Sequence, residues 1–217
     1  LTFTFDAVFD TADQVSMKDA FEVALVDASG KSLVLPIALK RDAFFNLTEG
    51  QTAALGAATR QNGQTVTLDL PALPTGKQAT LVFRLVNNDQ DANTRVSIRD
   101  VILESRSNTP EASASLSEPG YAARVISFEQ LTDVSPSLVA QYSRTSFNAD
   151  NNVLYSGVSF RNQGTYAVQG TLLAVVKNLS DPSVKVLNAN GVTPDGLSYY
   201  DVTSLIAQGG LAPGQQS

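Results

Sequence analysis

The sequence contains no cysteine, no histidine, no tryptophan and a single methionine in 217 residues. Without Cys there is no disulfide, no thiolate nucleophile and no zinc–thiolate site. Without His, imidazole triads, imidazole metal ligands and the usual proton shuttle are excluded. Any metal must be held by oxygen, which points to Ca²⁺ before Mg²⁺. Long apolar runs are also missing, so no segment is expected to insert in a membrane as a helix. Basic charge is in the minority, with 15 Lys and Arg against 21 Asp and Glu and a net charge of −6. Such a chain has little with which to neutralise phosphates, and no nucleic-acid partner is expected. The absence of Cys suits a bacterial surface protein and a cytosolic one equally. The chain opens at Leu1 inside a strand pattern, with no initiator Met or signal peptide, and reads as a mature or excised part of something longer.

What is present is period-2 alternation, the signature of half-buried strands. Leu1, Phe3 and Phe5 alternate with Thr2, Thr4 and Asp6. Phe21, Val23 and Leu25 alternate with Glu22 and Ala24; Val66, Leu68 and Leu70 with Thr65, Thr67 and Asp69. Leu81, Phe83 and Leu85 repeat the pattern, with Arg84 on the opposite face. Turn signals at Asp27-Ala28-Ser29-Gly30, Gln61-Asn62-Gly63 and Pro74-Thr75-Gly76 separate these runs. One Ala-rich stretch, 49–59, reads as a helical turn. The fold class expected is all-β, two β-sandwiches in series.

The division falls at residues 104–120, ESRSNTPEASASLSEPG, with five Ser and two Pro. So polar a stretch buries too little surface to order itself and reads as a linker. The expected domains are therefore 1–103, the linker 104–120, and 121–217. In the second half Leu154, Ser156, Val158 and Phe160 share one face, and Val168, Leu172, Ala174 and Val176 share another. Asn162-Gln163-Gly164 is a hairpin signal, and further strands are expected at 125–130, 184–188 and 199–202. Seven or so strands would make an immunoglobulin-like sandwich without its disulfide pin. The segment LAPGQQS at 211–217 reads as a turn leading into a last strand that is absent from the chain. Truncation, a miscounted strand and donation of the strand by a neighbouring chain are the alternatives.

Two resemblances add to this reading. DAFEVALVDASGKSLV (19–34), RDAFFNLTEG (41–50) and RLVNNDQDANTRVSIRDVIL (84–103) resemble the jelly-roll, carbohydrate-binding-module-like domains of large bacterial extracellular and cell-surface proteins. NNVLYSGVSFRNQGTYAVQGTLLAVVKNLS (151–180), NANGVTPDG (188–196) and LAPGQ (211–215) resemble the bacterial immunoglobulin-like or fibronectin-type repeats of the same proteins. The resemblance implies a secreted or cell-surface location, a multidomain setting and a structural Ca²⁺ between the first and last strands of the jelly roll.

Candidate site residues are few. Asp89, Asp91 and Asn93 in the loop NNDQDAN place oxygens at alternate positions, a set that suits Ca²⁺ or, equally, a solvated turn. Asp100 falls in register with Val96 and Ile98 on a core-facing row, where a carboxylate is costly unless paired or metal-bound. It would join Asp6, Asp10 or Asp19 at a sheet edge, unless a bulge near Arg99 turns it to solvent. Residues 1–103 have neither Trp nor Tyr as a sugar-stacking platform. Phe44 and Phe45 are adjacent, one expected in the core and one beneath a loop. Tyr199 and Tyr200 suit either an interface or a core corner. No carboxylate pair or phosphate loop is singled out, so no enzymatic activity is expected. Asn46-Leu47-Thr48 and Asn178-Leu179-Ser180 match glycosylation sequons.

The expected role is a structural or adhesive extracellular segment. It would partner other protein chains, as a filament or surface-layer subunit with strand complementation between chains. The alternative is a carbohydrate-binding accessory module of a larger secreted enzyme, with glycan as partner.

Overall fold

A computed structural model describes residues 1–11, 17–70, 78–88, 92–104, 126–179, 181–207 and 209–217. The chain is all-β. The strands are β1 (Thr2–Val8), β2 (Ala20–Val26), β3 (Ala43–Thr48), β4 (Ala54–Leu55), β5 (Thr59–Asn62), β6 (Thr65–Leu68), β7 (Thr80–Val86), β8 (Arg95–Ile102), β9 (Leu138–Asn148), β10 (Val153–Asn162), β11 (Leu173–Val175), β12 (Gly191–Val192) and β13 (Ser198–Asp201). The described residues hold no α-helix, only single 3-10 turns at Phe128–Gln130 and Thr203–Leu205.

Two compact units divide the chain: Leu1–Glu118 with Tyr142–Gly157, and Pro119–Gln141 with Val158–Ser217. This differs from a simple cut at the Ser/Pro-rich stretch. Residues 142–157, expected in the second domain, belong to the first unit, for a reason given below. Of the expected linker 104–120, all but Glu104 lies outside the described residues, as does the turn signal Pro74-Thr75-Gly76.

The first unit is a sandwich of two four-stranded antiparallel sheets, ordered β5-β6-β1-β8 and β4-β3-β2-β7. Alternation along the strands builds its core. Phe3, Phe5, Val66 and Leu68 face inward from one sheet and Phe21, Val23 and Phe45 from the other. The rings interlock edge-on or tilted, Phe3 on Phe83 at 5.2 Å and Phe5 on Phe45 at 5.3 Å between centroids. Such aromatic pairs add about 0.5–1.5 kcal/mol each beyond their buried area. The helical turn expected at 49–59 is absent. Gly50 sits at φ +71°, and Gly56 lies so close to the Leu35 carbonyl that a Cβ would collide with it. That segment turns twice and contributes β4 instead.

In β2, every residue from Ala20 to Leu25 is buried. Phe21, Val23 and Leu25 account for the core face. Burial of Ala20, Glu22 and Ala24 requires a second covering layer, which the segment 142–148 supplies. Phe44 and Phe45 are likewise both fully buried, so neither lies at a surface.

The second unit carries the three-stranded antiparallel sheet β11-β13-β12 and the unit's own parts of β9 and β10. Among the described residues, fewer strands form than the seven expected. Residues 128–130 make a 3-10 turn, and 184–188 are irregular. β13 forms where expected, with Tyr199 buried edge-on against Phe128 at 5.5 Å. The Tyr200 hydroxyl donates to the Leu187 carbonyl at 2.7 Å. Near the chain end, Ser217 N donates to Phe160 O at 2.9 Å and Gly214 N to Asn162 O at 2.7 Å. Residues 214–217 thus already run as an edge partner of β10. Asn162, fully buried, ties this corner by donating to the carbonyls of Tyr166 and Leu211.

Candidate functional site

The most developed polar constellation lies on the outer face of the β4-β3-β2-β7 sheet. Glu22 on β2 stands directly opposite Asn46 on β3 and Arg84 on β7. The register therefore sets an amide, a carboxylate and a guanidinium in one row across three strands. Asp42, just before β3, reaches the end of that row. Glu22 is fully buried and Asp42 nearly so.

A buried carboxylate is tolerated only when its oxygens are satisfied. Glu22 meets that condition five times. Its Oε1 accepts from Asn46 Nδ2 at 2.9 Å and Ser146 Oγ at 2.6 Å. Its Oε2 accepts from Arg84 Nε at 3.1 Å, Arg84 Nη2 at 2.9 Å and the Phe147 amide at 3.0 Å. Asp42 accepts from Arg84 Nη1 at 3.1 Å, Arg84 Nη2 at 2.6 Å and the Ala149 amide at 3.1 Å. Arg84 also donates to the Phe147 carbonyl. Burial alone would push the Arg84 guanidinium down; its bonds to Asp42 and Glu22 outweigh that and hold it above its ordinary value.

The row extends on the Asn46 side. Asn46 Nδ2 donates to Thr145 O at 2.7 Å, and Thr145 N donates to Thr48 Oγ1 at 3.2 Å. Arg144 donates to Asn46 Oδ1 at 2.8 Å and to Thr52 O at 2.9 Å. Beyond Asp42, Asn148 Nδ2 donates to Lys40 O at 2.7 Å, and Arg41 lies 3.3 Å over the Tyr155 ring. Burial holds the Arg41 guanidinium below its ordinary value, an effect that Tyr155 and Glu22 counter only in part.

The pattern is a clamp on a polypeptide. Side chains of one sheet bind the peptide groups of Thr145, Phe147 and Ala149 on alternate residues of β9 and its turn. That period of two is the repeat of a strand. It is the physical reason that 142–157 belongs to the first unit.

Of the residues singled out for Ca²⁺, Asp89 and Asp91 lie outside the described residues. Asn93 donates to Asp10 Oδ2 at 2.8 Å. Asp19 is buried and accepts from the Asn88 amide at 3.0 Å. Asp6 is exposed and accepts from Gln64 Nε2 at 3.2 Å. Asp100 sits at φ +53° where the β1–β8 register slips, and it is exposed. Here the bulge turns the carboxylate outward. Thus Asp10 and Asn93 meet, while Asp6 and Asp100 lie on the β1–β8 pair and Asp19 at the start of β2 in the other sheet. Among the described residues no three carboxylates gather in a metal-sized group.

Sequence reasoning placed Glu22 and Arg84 on the face opposite the apolar rows of their strands and missed the clamp. The available signal was an acid and a base at the same level of two strands that pair. In comparisons with family models, curated proteins and solved structures, nothing matches this chain.

Proposed function

We propose that this chain is a structural, adhesive segment of a bacterial secreted or cell-surface protein that self-assembles by strand complementation between chains. The observation that carries the reading is the clamp. The first unit is completed by a hairpin from far along the chain, with Ser146 bonding Glu22 across 124 residues. The contacts are largely to peptide groups, so they are chemically indifferent to whether the hairpin comes from the same chain or another. Exchange of such an element between copies is a low-cost route to assembly. In this scheme Asp89, Asp91 and Asn93 would hold a structural Ca²⁺. The glycan-binding alternative has less support, because Phe44 and Phe45 are buried and offer no stacking platform.

The test is light scattering with negative-stain microscopy, with and without a calcium chelator. Ordered assemblies are expected, and their loss on chelation would tie Ca²⁺ to assembly. A monomer under both conditions overturns the proposal.

A further inference from the structure

Every strand offers main-chain groups; selection among strands comes from side chains at alternate positions. The clamp binds both. The peptide groups of Thr145, Phe147 and Ala149 are held by the sheet, and the residues between them send side chains to the same unit. Ser146, 2% exposed, donates from Oγ to Glu22 Oε1 at 2.6 Å. Arg144 spans two acceptors, Asn46 Oδ1 at 2.8 Å and Thr52 O at 2.9 Å. Asn148, also buried, bonds in both senses: Nδ2 donates to Lys40 O at 2.7 Å and Oδ1 accepts from the Asp150 amide at 2.9 Å.

Each of these contacts demands a residue type. Position 146 takes a small hydroxyl donor beside a buried carboxylate. An aliphatic side chain there leaves Glu22 Oε1 one donor short, an acid sets two carboxylates together, and a larger residue has no room. Position 144 takes a fork of donors that reaches two acceptors at once, which the point charge of Lys does not supply. Position 148 takes a group that both donates and accepts. A carboxamide does so, whereas an ionised Asp has no donor for the Lys40 carbonyl.

We propose that the clamp reads its strand by the spacing Arg-x-Ser-x-Asn, so that its occupant between chains is β9 of a second copy and not an unrelated strand. The chain holds this spacing once, at 144–148. Its other Arg-x-Ser, Arg95-Val96-Ser97, continues to Arg99, which offers no acceptor at the third position. That segment is in any case paired with β1. The peptide bonds leave the clamp blind to which copy supplies the hairpin; the three side chains make it selective for sequence. A strand that lacks them leaves buried polar groups of the clamp unpaired, which is how a site rejects wrong partners. The inference rests on the reading that chains complement one another, and it names what is recognised.

The test mixes two populations of the full chain, one Ser29→Cys and one Asp150→Cys, in a sequence otherwise free of Cys. They are held together just below the melting temperature. Ser29 adjoins Gly30, where a Cβ would lie 3.8 Å from the Asp150 Cβ. A short bismaleimide therefore joins the populations where one copy's hairpin sits on the other. A synthetic peptide of residues 142–157 is added as competitor. The expected result is a covalent heterodimer that the natural peptide blocks. Peptides with Arg144→Leu, Ser146→Val or Asn148→Leu should block it at least about tenfold less well. A Ser143→Ala peptide should block as well as the natural one, because Ser143 lies against Gly157 within the hairpin. A natural peptide that leaves the heterodimer untouched, or three variants that block equally well, overturns selection by side chains and leaves complementation standing. Assemblies in light scattering without the heterodimer overturn the second copy's β9 as occupant and leave self-association by another surface. Monomers without the heterodimer overturn both.

Discussion

Replacing Arg84 with alanine tests the clamp most directly. The side chain makes two bonds to Glu22, two to Asp42 and one to the Phe147 carbonyl. Its loss leaves two carboxylates, 0% and 5% exposed at their side chains, facing each other without a shared cation. Removing one partner of a buried ion pair costs about 3–5 kcal/mol, most of it the penalty of the stranded charge. Because Arg84 itself is not fully buried, water entering its vacated space offsets part of that, and the lower end, about 3 kcal/mol, is expected. For a domain of this size that lowers Tm by roughly 10–15 °C. Hydrogen exchange should show where the loss falls: the amides of Phe147 and Ala149 open, while those of Phe21 and Val23 stay protected. Adding Glu22→Gln to the Arg84→Ala chain should recover part of the loss, since a neutral amide is cheaper to leave buried than a carboxylate. A Tm drop below about 3 °C, or unchanged exchange at Phe147, would refute the view that this row holds the hairpin.

Phe45→Ala should cost about 3–5 kcal/mol, read as a fall in the urea midpoint, because its ring is fully buried against Phe3, Phe5 and Phe21. In a glycosylating host, mass spectrometry should find Asn46 bare in the folded chain, since its amide is buried and bonded to Glu22 and Thr145. Asp27 should titrate below the usual carboxylate range, because the Ser29 hydroxyl and amide and the Lys31 amide donate to it. With a folded pKa below the unfolded one, its stabilising contribution is present above the unfolded value and fades as pH falls through the folded one. Carboxyl NMR should show the midpoint rise toward the ordinary value in Ser29→Ala. Gly56→Ala should destabilise the β3–β4 region, seen as a lower melting temperature, because a Cβ there strikes the Leu35 carbonyl.

The first sandwich was legible in the sequence because alternation is a local signal. Phe3 and Phe5, Phe21 and Val23, and Val66 and Leu68 each announce a strand and its inner face within a few residues. What alternation leaves open is the opposite face. Glu22 has the spacing of a solvent-facing residue, and only a segment more than a hundred residues away makes it buried. The same limit explains Phe44, whose outward face is covered. For Asp100 the sequence leaves a core-facing row and a bulge near Arg99 both open, and the extra residue in β8, which breaks strict period-2 counting, decides for the bulge. In the second unit, 184–188 has the composition of a strand yet stays irregular. Propensity in so short a run yields to its tertiary surroundings.

The clamp also bears on the order in which the chain acquires its structure. Contacts between residues far apart in sequence form late, since the intervening loop must be closed first. During synthesis the phenylalanine core, drawn from residues before 103, can assemble while the residues of the hairpin are still to be made. At that stage Glu22, Asp42 and Arg84 face water, where their charges carry no desolvation cost. The hairpin then arrives at a finished platform and dries it. Pulse-labelling hydrogen exchange during refolding should therefore show Phe21 and Val23 amides protected before those of Phe147 and Ala149. In this order, the most strongly charged layer of the protein is the last to lose its water.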